Sequence, residues 1–282
     1  MLAHAGRGAR RKIADTVRLI DSTGLRLSGV GAEWARFSTS VFGAKAHVVY
    51  DPDFGCPVYH AVTAANVNDI AVAKAMPIEA GGAHVFDLGY YDFAFWAKLD
   101  ALGCRLVTRF KTNTPLNAPC EMPLLPGSTV LRDRIGFLPA RQAINRRNPM
   151  QDGVREIVVE TETGETLRLL TNDLDAPAQE IADLYKRRWR IELFFRLMKQ
   201  TLRITKFVGR SENVVRIQIA VALIAFLLLR ALQQIKDAHG FLELVRLVRA
   251  NLMRRKDPTR LRKPPPPPPL DSPQLQLCLS PT

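Results

Sequence analysis

Between Thr16 and Phe110 the chain spells out an order of elements that leaves few folds open. Thr16–Ser22 (TVRLIDS) alternates apolar and polar residues and reaches Thr23-Gly24, which predicts a strand followed by a turn. A second strand fits Ala44–Tyr50, ended by Asp51-Pro52, and a third fits Pro57–Thr63 after Phe54-Gly55. Asn66–Asp69 offers caps for a helix over Ile70–Met76. A fourth strand, His84–Phe86, runs into Asp87-Leu88-Gly89. Asp92–Leu102 then reads as a helix stopped by Gly103, and Arg105–Phe110 as a fifth strand. Strands joined by short turns predict an antiparallel meander, whereas the two later strands each follow a helical crossover and so pair in parallel. The expected fold is α/β, a mixed five-stranded sheet flanked by helices.

The pattern changes after residue 112. Pro115, Pro119, Pro123, Pro126, Pro139 and Pro149 forbid long helices. Arg155–Thr161 and Thr166–Thr171 then form a predicted hairpin around Gly164. From Ala178 the periodicity is helical to about Lys236, broken near Gly209-Arg210-Ser211. The expected organisation is a basic lead over 1–13, the first part of a core over 14–112, and a strand-rich insertion over 113–173. A helical completion of the core follows over 174–235, then a basic helix and Pro-rich tail over 236–282, with Pro264–Pro269 extended.

Charge narrows the partner. The chain carries 40 Lys+Arg against 27 Asp+Glu, a net +13, which points to a polyanion such as nucleic acid or an anionic membrane surface. Ile219–Leu229 is too short an apolar run for a membrane span and is flanked by Arg216 and Arg230, so it is expected to be a buried core helix and no membrane is expected as partner. Arg7, Arg10, Arg11 and Lys12 have no apolar stretch behind them, so no secretory signal is expected. Cys56, Cys104, Cys120 and Cys278 form no CxxC pair and read as reduced thiols of a cytoplasmic protein.

The most informative segment is Leu184–Gln200, LYKRRWRIELFFRLMKQ. On a helix, Tyr185, Arg188, Glu192 and Lys199 fall within roughly a 60° arc. Ile191, Phe194, Met198 and Leu202 point elsewhere and can bury. A carboxylate among cations suits an anionic ligand: a phosphodiester gripped by Arg, Lys and Tyr, with the Glu holding a divalent metal. The same spacing also fits a solvated face in which Arg188 and Glu192 form an i,i+4 ion pair. Two aspartates weigh against that. Asp21 interrupts the first strand's apolar pattern, and Asp87 ends the fourth strand at the sheet's C-terminal edge, where sites assemble in α/β folds. Side by side they repel unless a cation joins them, and two divalent ions shared with Glu192 would allow phosphoryl-transfer chemistry.

These residues resemble the DDE transposases of bacterial insertion sequences, specifically the group related to insertion sequence four. Its signature, Y-x2-R-x3-E-x6-K, is matched at every spacing by Tyr185, Arg188, Glu192 and Lys199. LIDST around Asp21 and FDLGYYDF around Asp87 resemble the family's two aspartate strands, and Lys45-Ala46-His47 and VTAANVNDI resemble its second- and third-strand regions. The resemblance covers roughly residues 14–235. It implies a ribonuclease H-like fold and metal-dependent cleavage and strand transfer at insertion-sequence ends. Asp21, Asp87 and Glu192 would hold Mg²⁺ (two ions, with Mn²⁺ able to substitute), and Tyr185, Arg188 and Lys199 would contact phosphates. Trp189 is a candidate for stacking on a base, and Arg190 and Arg196 for holding the DNA backbone. The implied partners are double-stranded DNA and a second copy in a synaptic complex, in the bacterial cytoplasm with the nucleoid.

Lys186, Arg187, Arg203, Lys206 and Arg210 extend the basic surface. Arg109 and Lys111 are weaker DNA candidates, and His47 and His60 read as strand residues. Arg249, Arg254, Arg255, Lys256, Arg260, Arg262 and Lys263 make a basic approach to the tail. Members of the resembled group carry a DNA-binding region ahead of the first aspartate, whereas 20 residues precede Asp21 here, so a shortened chain is expected. Two other readings stay open: a catalytically idle DNA-binding remnant, and another ribonuclease H-like nuclease acting on RNA–DNA hybrids.

Overall fold

The structure, a computed structural model, describes residues 16–27, 32–38, 41–124, 127–236 and 240–252. The basic lead, Cys278, the Pro264–Pro269 tract and the basic residues from Arg254 to Lys263 lie outside them. The first unit extends to Leu223. Its leading half holds β1 (Val17–Leu27), β2 (Phe42–Asp51), β3 (Cys56–Ala64), α1 (Asp69–Ala75), β4 (Ala83–Phe86), α2 (Phe93–Ala101) and β5 (Arg105–Arg109). Asn68 caps α1 by accepting from the Ile70 amide, and Asp92 caps α2 by accepting from Phe95. The strands lie in the order β3-β2-β1-β4-β5, with β1, β4 and β5 parallel and the other pairs antiparallel. This is the mixed arrangement of the first five strands expected from the sequence. One expectation fails: β1 does not turn at Thr23-Gly24 but runs on to Leu27, because Gly24 pairs with Lys45 and the alternating Thr23, Leu25 and Leu27 are buried.

The sheet does not stop at five strands. β6 (Asn117–Glu121), β7 (Val130–Phe137), β10 (Val154–Glu160) and β11 (Thr166–Thr171) continue it in the order β5-β11-β10-β7-β6. β11 pairs antiparallel with β5, Leu169 opposite Arg109 and Thr171 opposite Val107. The strand-rich insertion therefore covers an edge that would otherwise expose unpaired backbone groups. Gly164 turns the β10–β11 hairpin at φ 79°. β8 (Arg141–Ala143) and β9 (Arg146–Arg147) form a separate ribbon. Charge is buried in pairs here. Arg155 donates to both oxygens of Asp133 at 2.7 and 2.6 Å, and Glu156 lies between Arg134 and Arg168.

Alternation along the strands gives the sheet two faces. Ile20, Phe86, Leu106 and Leu170 join Phe95, Trp96 and Leu99 of α2 in one core. Leu19, Val85, Val107, Leu169 and Ile157 are equally buried on the other side. There α3 (Ala178–Lys186) lies against β4, β5, β7 and β10, and α4 (Trp189–Gln200) against β1.

The helical stretch after Ala178 is not one helix. It tightens at Arg187-Arg188, where the amides of Arg188, Arg190 and Ile191 bond three residues back, at 3.0, 2.9 and 3.2 Å. It ends at Gln200, and α5 (Glu212–Lys236) follows. The expectation of a buried core helix over Ile219–Leu229 holds for one face only. Val215, Ile219 and Ala222 are buried, whereas Ile217 and Val221 are exposed, since the helix is apolar on both sides. By length and composition α5 could also cross a membrane. The second unit begins at Ile224, inside α5, and includes α6 (Phe241–Leu252), with the Phe226 and Phe241 rings 5.4 Å apart.

Candidate active site

The two aspartates are placed by strand register. β1 and β4 run in parallel with Val17 opposite Ala83 and Leu19 opposite Val85, an offset of 85 − 19 = 66. Two residues further on, the same offset sets Asp21 level with Asp87. The pleat turns both toward the side on which Leu19 and Val85 point, the side of α4. Asp87 lies just beyond β4 and starts a tight turn, its Oδ1 accepting from the Gly89 amide at 2.8 Å. A Cβ at residue 89 would lie 3.1 Å from that oxygen, so the turn favours glycine. Asp21 Oδ1 accepts from the Ser22 amide at 2.8 Å.

Glu192 is supplied by the first turn of α4. Arg188, at the N-cap of the same helix, reaches both acids: Nη2 is 2.6 Å from Glu192 Oε1 and Nη1 is 3.8 Å from Asp21 Oδ2. The i,i+4 pair is thus real, but it faces a shared cavity. That cavity, about 420 Å³, is lined by Asp21, Asp87, Arg188, Glu192, Arg196 and Lys199. Ser22, Thr23, Phe195 and Gln200 complete the wall. Sequence reading missed these four, since none carries a charge or a motif position that stands out.

Electrostatics shows what the cavity lacks. Asp21 is pushed up to about 6, first by burial and further by the charges of Asp87 and Glu192, against the opposing pull of the Ser22 amide and Arg188. Burial and the neighbouring carboxylates outweigh the Arg188 guanidinium at Asp21. Three carboxylates offer hard oxygen donors of the kind Mg²⁺ and Mn²⁺ take. Among the described residues, no group of three or more His, Cys, Asp or Glu side chains is gathered closely enough, as placed, to hold a metal ion. Arg188 lies between Asp21 and Glu192, and the three carboxylates are the side chains on this cavity that could serve a divalent ion as ligands.

The remaining candidates divide. Arg196 and Lys199 line the cavity. Tyr185 does not: the break at Arg187-Arg188 leaves it on α3, buried, with the Arg188 guanidinium 5.6 Å from its ring centre. Its hydroxyl lies beneath the surface, and burial raises its pKa, so it sits beside Arg188 as a neutral phenol. Trp189 is 51% exposed, with the Arg196 guanidinium 5.9 Å from its ring, and stands outside the cavity wall. Arg190 donates to the Pro52 carbonyl at 2.7 Å and Arg187 pairs with Asp53, so these two bind the β2–β3 turn instead of facing the acids. Lys186 pairs with Glu162.

Known proteins resemble this chain over most of its length. A transposase by name, y4zB of Sinorhizobium fredii (strain NBRC 101917 / NGR234), is 37% identical over 263 residues, which are 92% of this chain and 72% of that protein. A second, named for insertion sequence element IS5377 of Geobacillus stearothermophilus, is 28% identical over 255 residues, 88% of this chain and 66% of that one. The chain thus spans about two thirds to three quarters of these relatives. Among solved structures, a piggyBac transposase synaptic complex with hairpin DNA matches 83% of this chain and 51% of its own at 10% identity and a TM-score of 0.48, too distant to speak to function. Residues 13–228 match the transposase DDE domain family. On that match and the identity to the Sinorhizobium protein, the chain belongs to the DDE transposases, the family that serves bacterial insertion sequences.

Proposed function

We propose that the chain is a DNA transposase that cleaves phosphodiesters at insertion-sequence ends and joins the freed 3′-hydroxyl to target DNA. The observation that carries the reading is the convergence of Asp21, Asp87 and Glu192 on one cavity with Arg188, Arg196 and Lys199 on its wall. In this reading the three carboxylates hold Mg²⁺, two ions with Mn²⁺ as substitute. What divalent ions supply at such a site is polarisation of the scissile phosphate and activation of the attacking oxygen.

The chain's own residues do the rest. With the carboxylates holding divalent ions, the Arg188 guanidinium would be free to take a phosphate oxygen, with the Tyr185 ring beside it as a support. Arg196 and Lys199 fix the flanking phosphates, which makes DNA affinity fall steeply with salt. Trp189 is half-exposed at the rim and stacks on a displaced base. Arg190 serves the DNA only indirectly, by anchoring α4 to the β2–β3 turn. Because two ends are cut together, two copies act in one complex, in the bacterial cytoplasm at the nucleoid.

The test is cleavage of DNA carrying the ends of the element by the purified chain. The expected result is Mg²⁺-dependent nicking that disappears in Asp21→Ala, Asp87→Ala and Glu192→Gln. Salt-sensitive binding without cleavage under any divalent ion would favour the idle remnant. Cleavage confined to RNA–DNA hybrids would favour another nuclease of the same fold.

A further inference from the structure

Two stretches singled out in the sequence take no part in the acidic cavity: Lys45-Ala46-His47 on β2, and VTAANVNDI, which runs from β3 into α1. They meet at one carboxylate. Asp69, the first residue of α1, accepts through Oδ1 from Ser22 Oγ at 2.9 Å and from Lys45 Nζ at 3.1 Å. Lys45 also donates to the Val67 carbonyl at 2.9 Å, which ties it to the same loop. His47 Nδ1 lies 3.5 Å from Asp69 Oδ1, and its Nε2 is 2.8 Å from Thr63 Oγ1. Lys45 is the lysine charge that pairs with Asp69.

The other side of Asp69 faces the turn after β4. A Cβ on Gly89 would be 3.1 Å from Asp87 Oδ1 and 3.8 Å from Asp69 Oδ2, so both carboxylates close on the same glycine. On β1 the connection is more direct. Ser22 gives its hydroxyl to Asp69 and its amide to Asp21 Oδ1, the latter at 2.8 Å. Pleating sends the Ser22 side chain to the opposite side of the sheet from Asp21. One carboxylate behind the sheet thus holds the residue after Asp21 and abuts the glycine that fixes Asp87.

We propose that Asp69 is a positioning residue: through Ser22 and Gly89 it holds Asp21 and Asp87 at the separation from which they share divalent ions. This rests on the reading of Asp21, Asp87 and Glu192 as the metal-holding set. A partner of this kind around a metal site is worth about 10–100-fold in metal affinity.

Calorimetric titration of Mn²⁺ into the full chain, beside thermal melting in EDTA, tests it. Asp69→Ala should weaken Mn²⁺ binding by about 10-fold or more. Asp69→Asn, which can still accept from Ser22, should lose less, and Ser22→Ala should fall between wild type and Asp69→Ala. Should Asp69→Ala fail to fold, Asp69→Asn and Ser22→Ala carry the test. Variants that melt earlier yet bind Mn²⁺ as tightly as wild type would overturn the proposal and leave Asp69 a structural tether. Undiminished Mn²⁺ binding in Asp21→Asn would instead sink the metal reading itself, and the proposal with it.

Discussion

Replacing Asp21 with Asn probes the charge imbalance of the cavity in a way that needs no DNA. Asp21 rises from its ordinary value of 3.8 to about 6, chiefly through burial, with Asp87 and Glu192 adding to it. Between those two values the folded chain keeps a proton that the unfolded chain has already released. Native stability therefore falls as pH climbs through this window, and the full cost is in place above about 6. A shift of about two units corresponds to roughly 3 kcal/mol. That is an upper figure, because Asn also gives up the attraction of Arg188 while keeping an oxygen for the Ser22 amide. Urea unfolding of the metal-free chain in EDTA, followed by tryptophan fluorescence, gives the comparison. Asp21→Asn should be more stable than wild type by about 1–3 kcal/mol at pH 8, and the gain should vanish near pH 4. A variant less stable than wild type at pH 8, or a gain that ignores pH, would refute the reasoning.

Arg188→Gln removes the cation between Asp21 and Glu192, so its stability loss should be larger at pH 8 than at pH 5 when melting is compared without divalent ions; equal losses would show that the guanidinium acts through packing alone. Asp133→Ala strands the buried Arg155 guanidinium in the sheet extension and should cost about 3–5 kcal/mol in chemical denaturation, with a loss under about 1 kcal/mol counting against the buried-pair account.

Much of the site was legible because the informative features were local. The alternation in TVRLIDS and the turn at Asp87-Leu88-Gly89 located both aspartate strands, and the separation of 66 residues proved to be their register offset. Glu192 and its cationic neighbours followed from helical spacing. What escaped depends on partners far along the chain. That β11 would dock on β5 cannot be read from either strand, since both simply look apolar. The tightening at Arg187-Arg188 has no Gly or Pro to announce it, and it moved Tyr185 from the presumed stripe into the interior. Arg190 looked like one more basic residue on a charged helix until Pro52 was seen to hold it. Asp69 reads from the sequence as a helix cap, and its bonds to Ser22 and Lys45 form only when the fold brings β1, β2 and α1 together.

The central claim is that Asp21, Asp87 and Glu192 act together on divalent ions. Electron paramagnetic resonance of Mn²⁺ counts the ions bound to wild type and to Asp21→Asn, Asp87→Asn and Glu192→Gln, each checked for native melting. Loss of bound Mn²⁺ in all three variants is the predicted result. Full Mn²⁺ occupancy in any one of them would contradict it.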